Sequence, residues 1–158
     1  MGRFYTIETG FQTVSAAQDL LEIQLPSSVV AILHSIAIDQ SSDVSSADAK
    51  KQQILLKRGI GATSGSGGGS ATISKHQTGD ASSGLTAERN NTSQAVAGGG
   101  SLATVGSFVW DVLAGLEHTP IPELRMAFSP SEYIVLATDA PADAVTANAR
   151  IVLELLGG

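Results

Sequence analysis

Apolar and polar residues alternate with a period of two in several segments of this chain. In one of them Leu21, Ile23 and Leu25 are separated by a glutamate and a glutamine. The same alternation recurs at 107–112 and at 150–155. Because successive side chains of a β-strand point to opposite faces, this pattern is typical of strands that bury one face. The three segments are therefore predicted to be strands.

The segment 29–38 differs from these strands because apolar residues occupy both of its faces. Its even-numbered positions include Ile32, Ile36 and Ile38 together with His34, and its odd-numbered positions carry mostly valine, alanine and leucine. This pattern predicts a central strand that is covered on both sides. His34 is accordingly predicted to be a hydrogen-bonded histidine of the core.

The remaining pattern predicts an all-β protein. Further strands are expected at Phe4–Thr9, Gln53–Arg58, Ala71–His76, Gln94–Ala97 and Tyr133–Thr138. Helix is expected in one short segment only, where Ser46 would cap residues 47–53. About nine short strands separated by turn residues predict a jelly-roll-like antiparallel β-sandwich. An immunoglobulin-like sandwich is the alternative, although the chain has no cysteine for its disulfide.

The length of 158 residues predicts one domain spanning 1–158. Inside it, the range 59–84 contains the run Ser64–Ser70, which consists only of glycine and serine. This composition predicts one long, flexible, exposed loop. The first thirteen residues are expected to form either an N-terminal arm or the first strand of the sandwich.

The composition narrows the classes of partner. Only 15% of the residues are charged, there are 17 glycines, and the formal net charge is −6. A surface with so few charges is expected of a protein that contacts many neighbours. Clustered lysine and arginine, which nucleic-acid binding requires, are missing, so nucleic acid is not expected as a partner. No apolar run approaches the length of a membrane helix, so no membrane association is expected either.

The motifs of catalysis and of cofactor binding fail at identifiable positions. No glycine is followed by lysine, which excludes a P-loop, and the Gly-x-Ser-x-Gly motif of hydrolases is absent. His34, His76 and His118 lack the spacing of metal ligands on one element. The aspartates near positions 39–48 and 139–143 lack EF-hand spacing and are expected to cap turns. We therefore expect no enzyme, no cofactor and no metal, and a hydrolase would need a triad assembled only in space.

Six segments of the chain are distinctive in their order, namely residues 16–23, 40–44, 58–59, 86–92, 140–146 and 151–155. Taken together, they resemble small virion structural proteins of tailed bacteriophages. The resemblance implies a capsid decoration (cement) protein, a class that is often a trimeric β-sandwich on the outer shell. It thus implies a homotrimer that binds the major capsid protein on the capsid exterior and stabilises the head. The family has no catalytic residues to transfer.

Two further expectations follow from this resemblance. Phe4, Tyr5 and Phe11 would anchor an N-terminal arm and are the predicted contacts with the capsid or with other copies. Other virion proteins of this size belong to head or tail fibres, so a receptor-binding module that recognises a host glycan is the alternative function.

Overall fold

Thirteen β-strands form within residues 2–42 and 51–157, which are the residues that the computed structural model describes. The strands are β1 Arg3–Glu8, β2 Gln12–Val14, β3 Gln18–Gln24, β4 Val29–Gln40, β5 Lys51–Ile60, β6 Gly69–Ser70, β7 Thr72–Lys75, β8 Thr86–Asn91, β9 Ser101–Asp111, β10 Leu116–His118, β11 Ala127–Phe128, β12 Glu132–Thr138 and β13 Val145–Gly157. A single 3-10 turn at Pro122–Leu124 is the helical element of the described residues.

The strands form two antiparallel sheets that pack face to face. The seven-stranded sheet has the order β10-β4-β13-β1-β7, with β11 also paired to β4 and β2 to β13. The six-stranded sheet has the order β6-β8-β3-β12-β5-β9. The predicted all-β sandwich is therefore confirmed.

The connectivity of the eight principal strands is that of a jelly roll. Counted along the chain, these strands are β1, β3, β4, β5, β9, β10, β12 and β13. In the seven-stranded sheet the neighbours are the first, eighth, third and sixth of these strands, which are β1, β13, β4 and β10. In the other sheet they are the second, seventh, fourth and fifth, which are β3, β12, β5 and β9. Two interlocked Greek keys produce this order, so the jelly-roll prediction is the correct one of the two sandwich predictions.

The core fills the space between the sheets. Its largest fully buried side chains are those of Trp110, Tyr5 and Phe128. The alternation in β3 and β13 is confirmed, because the apolar residues of each strand lie in this core and most of the polar residues face outward. Aromatic residues of this size bury some of the largest apolar areas in a domain and dominate its packing energy.

Strand β4 has one core face rather than the two that its pattern predicted. Its buried core residues are odd-numbered up to Leu33 and even-numbered from Ile36. The pairing with β13 shifts register there and leaves His34 as an extra residue, which is a β-bulge. A bulge reverses the side on which later residues point. His34 therefore lies on the outer face, and its prediction as a core residue was wrong.

Three other local predictions need correction. Residues 94–97 are not a strand, since only Val96 forms an isolated bridge there. Residues 51–53 belong to β5 rather than to a helix, and the rest of that predicted helix lies outside the described residues. The range 59–84, predicted as one loop, contains the short strand β6 as well as β7, and β7 confirms the strand that was predicted at 71–76.

The long connection between β5 and β9 wraps around the sandwich. Residues 61–68 and 92–99, which we call the cover, run antiparallel to each other and are joined by the bridges Thr63–Val96 and Ser66–Ser93. Between them the chain adds β6 and β8 to the six-stranded sheet and β7 to the other sheet. Glycine permits the close approach, since a Cβ atom on Gly65 would lie 2.5 Å from the carbonyl oxygen of Ser93.

Candidate interaction surfaces

No cavity opens in residues 2–42 and 51–157, and no group of three histidine, aspartate or glutamate side chains there is placed to hold a metal ion. Nor does any helix of these two ranges have the length and apolarity needed to span a membrane. The three histidines each contact other side chains of the protein.

Two of those histidines lie on the outer face of the seven-stranded sheet. His34 Nε2 is 2.9 Å from Glu154 Oε2, and the His34 ring meets Phe4 edge-on at 4.8 Å between centroids. His76 stacks on the other side of Phe4 and its Nε2 is 2.8 Å from the Thr6 hydroxyl. The third, His118, packs on Phe108 between the edges of the two sheets. This outer face carries both polar and apolar side chains, and most of them are partly exposed to solvent.

The outer face of the six-stranded sheet is buried beneath the cover. Ala95 of the cover packs on Tyr133, Val135 and Ala137 of β12, and these four residues form a second, smaller core. Residue Leu102 at the start of β9 packs against the same cluster. The cover therefore adds a third layer to the sandwich on this side only.

Two buried carboxylates hold the two halves of the cover. The backbone N–H of Ala95 donates to Asp19 Oδ2 at 2.5 Å, and that of Gly65 donates to Glu22 Oε2 at 2.9 Å. Both carboxylates belong to β3 and are almost inaccessible to solvent. Hydrogen bonds to a charged acceptor are stronger than those between neutral groups, so these bonds fix the cover on the sheet.

Burial has a clear electrostatic effect on Asp19. Burial raises the pKa of Asp19 from 3.8 to about 6, and nearby Glu22 adds to the rise, while the bond from Ala95 and the charge of Lys57 act in the opposite direction. Its Oδ1 atom and the Oδ1 atom of Asn91, which lies directly opposite on β8, have no partner among the described residues. A proton on Asp19 would turn its carboxyl group, which as a carboxylate can only accept, into a hydrogen-bond donor.

Strand β9 presents a different kind of surface, an open sheet edge. It pairs with β5 along its whole length, and in the described residues its other side is paired only at its last residue, Asp111, which forms an isolated bridge with Gly115. Its residues Val105 and Val109 and the following Leu113 are exposed apolar side chains. The chain carries no charged residue from 90 to 110. A long, uncharged, open edge is a template for pairing with another strand.

The three residues predicted as contacts have very different positions. Phe4 and Tyr5 belong to β1 inside the seven-stranded sheet, so residues 3–8 form a first strand and not an arm. Tyr5 is fully buried, and its hydroxyl donates to the carbonyl of Ala81 at 2.8 Å, so it offers no surface for a contact. Phe4 is partly exposed beside His34, whereas Phe11 is 52% exposed in the turn before β2.

Sequence reasoning missed both the buried Asp19 and the open edge at β9, and only the second had a signal in the sequence. Nothing in the local pattern around Asp19 distinguishes it from a turn-capping aspartate, because its burial depends on residues far away in the chain. The uncharged stretch 90–110 can be read in the sequence, but its significance depends on β9 being at an edge of the sheet.

Comparison with known families, curated proteins and solved structures finds no match for this chain.

Proposed function

We propose that this protein is a bacteriophage capsid decoration protein, which binds the major capsid protein on the exterior of the head and stabilises the shell. The observation that carries the proposal is the combination of a jelly roll with an open, uncharged sheet edge and with no cleft in the described residues. Such a molecule offers surfaces for protein contact rather than for small-molecule chemistry. Jelly rolls of this kind are common in viral capsids, and the sequence resemblance supports the same class.

The distribution of charge supports this role. A decoration protein has to bury area against several neighbours, and charged side chains are depleted at the centres of such interfaces. The exposed apolar side chains of the described residues outside the edge strand include Phe11, Ile121 and Leu124. They lie in two separate connections, the turn before β2 and the segment between β10 and β11. A homotrimer remains the assembly that the resemblance implies.

The alternative, a fibre module that recognises a host glycan, has less support. Glycan-binding sites use exposed aromatic rings beside a groove. Trp110 and Tyr5 are buried in the core, and Tyr133 lies beneath the cover. Phe11 is the single aromatic side chain of residues 2–42 and 51–157 that is largely exposed.

Co-sedimentation with capsid shells of the virus that encodes the protein tests the proposal. We expect the purified protein to pellet with shells at a saturating, lattice-defined ratio, and electron microscopy to show it over the whole head. Shells stripped of the protein should rupture at a lower temperature than decorated ones. A protein that stays in the supernatant at every concentration, or that labels only a few sites on a fibre, would contradict the proposal.

A further inference from the structure

Few contacts attach the cover to the rest of the protein. Its two halves are joined by two isolated bridges, and each half donates one backbone N–H to a buried carboxylate of β3, at Asp19 and at Glu22. The small core beneath it consists of Ala95 and three residues of β12, whereas the main core extends over both sheets. Segments with little buried apolar area and few backbone bonds open more often than the rest of a fold. The cover therefore has the features of a segment that opens locally.

Glycines form three of the four ends of the cover. The first half, 61–68, begins at Gly61 and ends at Gly68, and the second half, 92–99, ends at Gly99. Gly61 and Gly98 have φ angles of 63° and 55°, which favour glycine because it has no Cβ atom. Strands β5, β6 and β9 end or begin within two residues of these ends. The cover can therefore move about its glycine ends while the strands keep their pairing.

Asp19 lies beneath the cover without full compensation for its burial. Its Oδ2 atom accepts the N–H of Ala95, and its Oδ1 atom has no partner among the described residues. Neither of the two ion pairs in those residues includes Asp19. Burial of this kind favours the protonated form of a carboxyl group, because the ionised form is stabilised by contact with water. Loss of the proton therefore favours a conformation in which the cover is lifted from Asp19.

The charged and titratable groups around Asp19 come from the sheet alone. Glu22 lies three residues further along β3, Glu88 lies opposite Glu22 on β8, and Lys57 lies on β5. Strand β12, which separates β5 from β3, contributes Tyr133 at its other end. Neither half of the cover has a titratable side chain. Burial chiefly, with a contribution from Glu22, raises the pKa of Asp19 from 3.8 to about 6, against the opposing effects of its backbone hydrogen bond and of Lys57.

We infer that the cover is a pH-dependent lid, which opens as a unit about its glycine ends more often when Asp19 is ionised, and then exposes Tyr133, Val135 and Ala137 of β12. An open lid returns Asp19 to water and its pKa to 3.8, so the equilibrium constant of opening should rise about tenfold from pH 5 to pH 7. Well below pH 4 the opening is independent of pH, because Asp19 is protonated in both states. The inference concerns the motion of one chain and does not depend on the capsid proposal.

Hydrogen exchange of the folded protein measures the opening directly. We expect the backbone amides of Ser93, Ala95 and Val96 to be less protected than those that join β4 to β13, which exchange only through global unfolding. After correction for the intrinsic exchange rate, the protection factors of these three amides should fall about tenfold from pH 5 to pH 7. Asp19→Asn, which cannot ionise, should remove this pH dependence, whereas the exposed control Asp143→Asn should retain it.

Thiol labelling provides the second test. The chain has no cysteine, so a single introduced thiol reports on one position. Ala137→Cys places a thiol on β12 beneath the cover, and Ala147→Cys is the matched control in the core between the sheets, where the alanine is also almost inaccessible to solvent. We expect the first thiol to react faster than the second, with a difference that rises with pH after correction for ionisation of the thiol.

Three results would overturn the inference. They are equal protection of the cover and of the β4–β13 pairs, protection factors of the cover that do not change between pH 5 and pH 7, and a pH dependence that Asp19→Asn retains. The exchange measurement on the unmodified protein decides the question even if a cysteine variant does not fold. Binding to capsid shells is measured separately, so the lid and the capsid proposal can fail independently.

Discussion

The outer faces of the two sheets have the same backbone architecture and opposite environments. The six-stranded sheet carries the cover, so Val135 and two carboxylates of β3 are sealed from solvent. The seven-stranded sheet has no such layer in the described residues, and Val152, His34 and Glu154 on its outer face remain partly exposed. The difference arises from one long connection, because both sheets bury their inner faces in the same core.

Polar residues on the outer faces of the two sheets have different roles. On the seven-stranded sheet the polar residues contact one another and are partly exposed to solvent, so each adds little to stability. Under the cover, Asp19 and Glu22 receive backbone N–H groups from chain segments more than forty residues away. There the polar residues determine where a glycine-rich segment lies, and burying them has an energetic cost.

The largest expected effect comes from placing a charge under the cover. Val135→Asp should lower the free energy of unfolding by about 4 kcal/mol or more, because an ionised carboxylate would be buried without a partner. Val152→Asp, on the outer face of the seven-stranded sheet, should lower it by only about 1 kcal/mol. Urea denaturation of the two variants measures the difference. Equal losses would mean that the cover does not exclude water from the sheet.

The next effect has the opposite sign and depends on pH. Since burial raises the pKa of Asp19 to about 6, the folded protein holds this proton more tightly than the unfolded chain does. The stability that Asp19 contributes is thus complete below about pH 4 and is lost as the pH rises through 6. Asp19→Asn keeps an acceptor for Ala95 and adds donors near Asn91, so it should stabilise the protein by about 2–3 kcal/mol at pH 7 and hardly at all at pH 4.

Denaturation across this pH range checks the sign of the Asp19 effect. Asp143→Asn, at an exposed turn, is the matched control and should change stability little at any pH. A gap between the unmodified protein and Asp19→Asn that stays constant from pH 4 to pH 7 would contradict the assignment of a buried, ionising carboxylate.

The smallest effect concerns the glycines of the cover. A Cβ atom on Gly68 would collide with the backbone carbonyl of Arg89, whereas one on Gly99 would meet nothing within 4 Å. Gly68→Ala should therefore lower the free energy of unfolding by about 1–2 kcal/mol, a typical cost of overpacking. Gly99→Ala should leave it unchanged or raise it slightly. Limited proteolysis should show faster cleavage of the cover in Gly68→Ala alone; similar behaviour of the two variants would show that the cover is loosely packed.

Prediction from sequence succeeded where the signal was local. Alternation identified β3 and β13, because the period of two is a property of the strand itself. It failed at β4, where the bulge at His34 is imposed by pairing with β13. It also failed at 94–97, whose apolar residues serve the cover instead of a sheet, with Ala95 in the small core above β12.

The candidate surfaces were less predictable than the fold. Phe4, Tyr5 and Phe11 were grouped because they are close in sequence, yet one is in the core and the others are on different parts of the surface. The aromatic character of a residue does not determine its burial, since the strand parity and the neighbouring strands decide which side it faces.

The amino-acid sequence by itself determined most of the strands, the all-β class, the jelly-roll-like sandwich and the lack of cysteine chemistry, because these depend on composition and on neighbouring residues. The tertiary structure alone decided that the glycine-rich connection covers one sheet, that Asp19 is buried beneath Ala95, and that β9 is an open edge. The physical reason is distance along the chain: Asp19 and Ala95 are 76 residues apart, and no local pattern records which distant segment a side chain or a strand edge will meet.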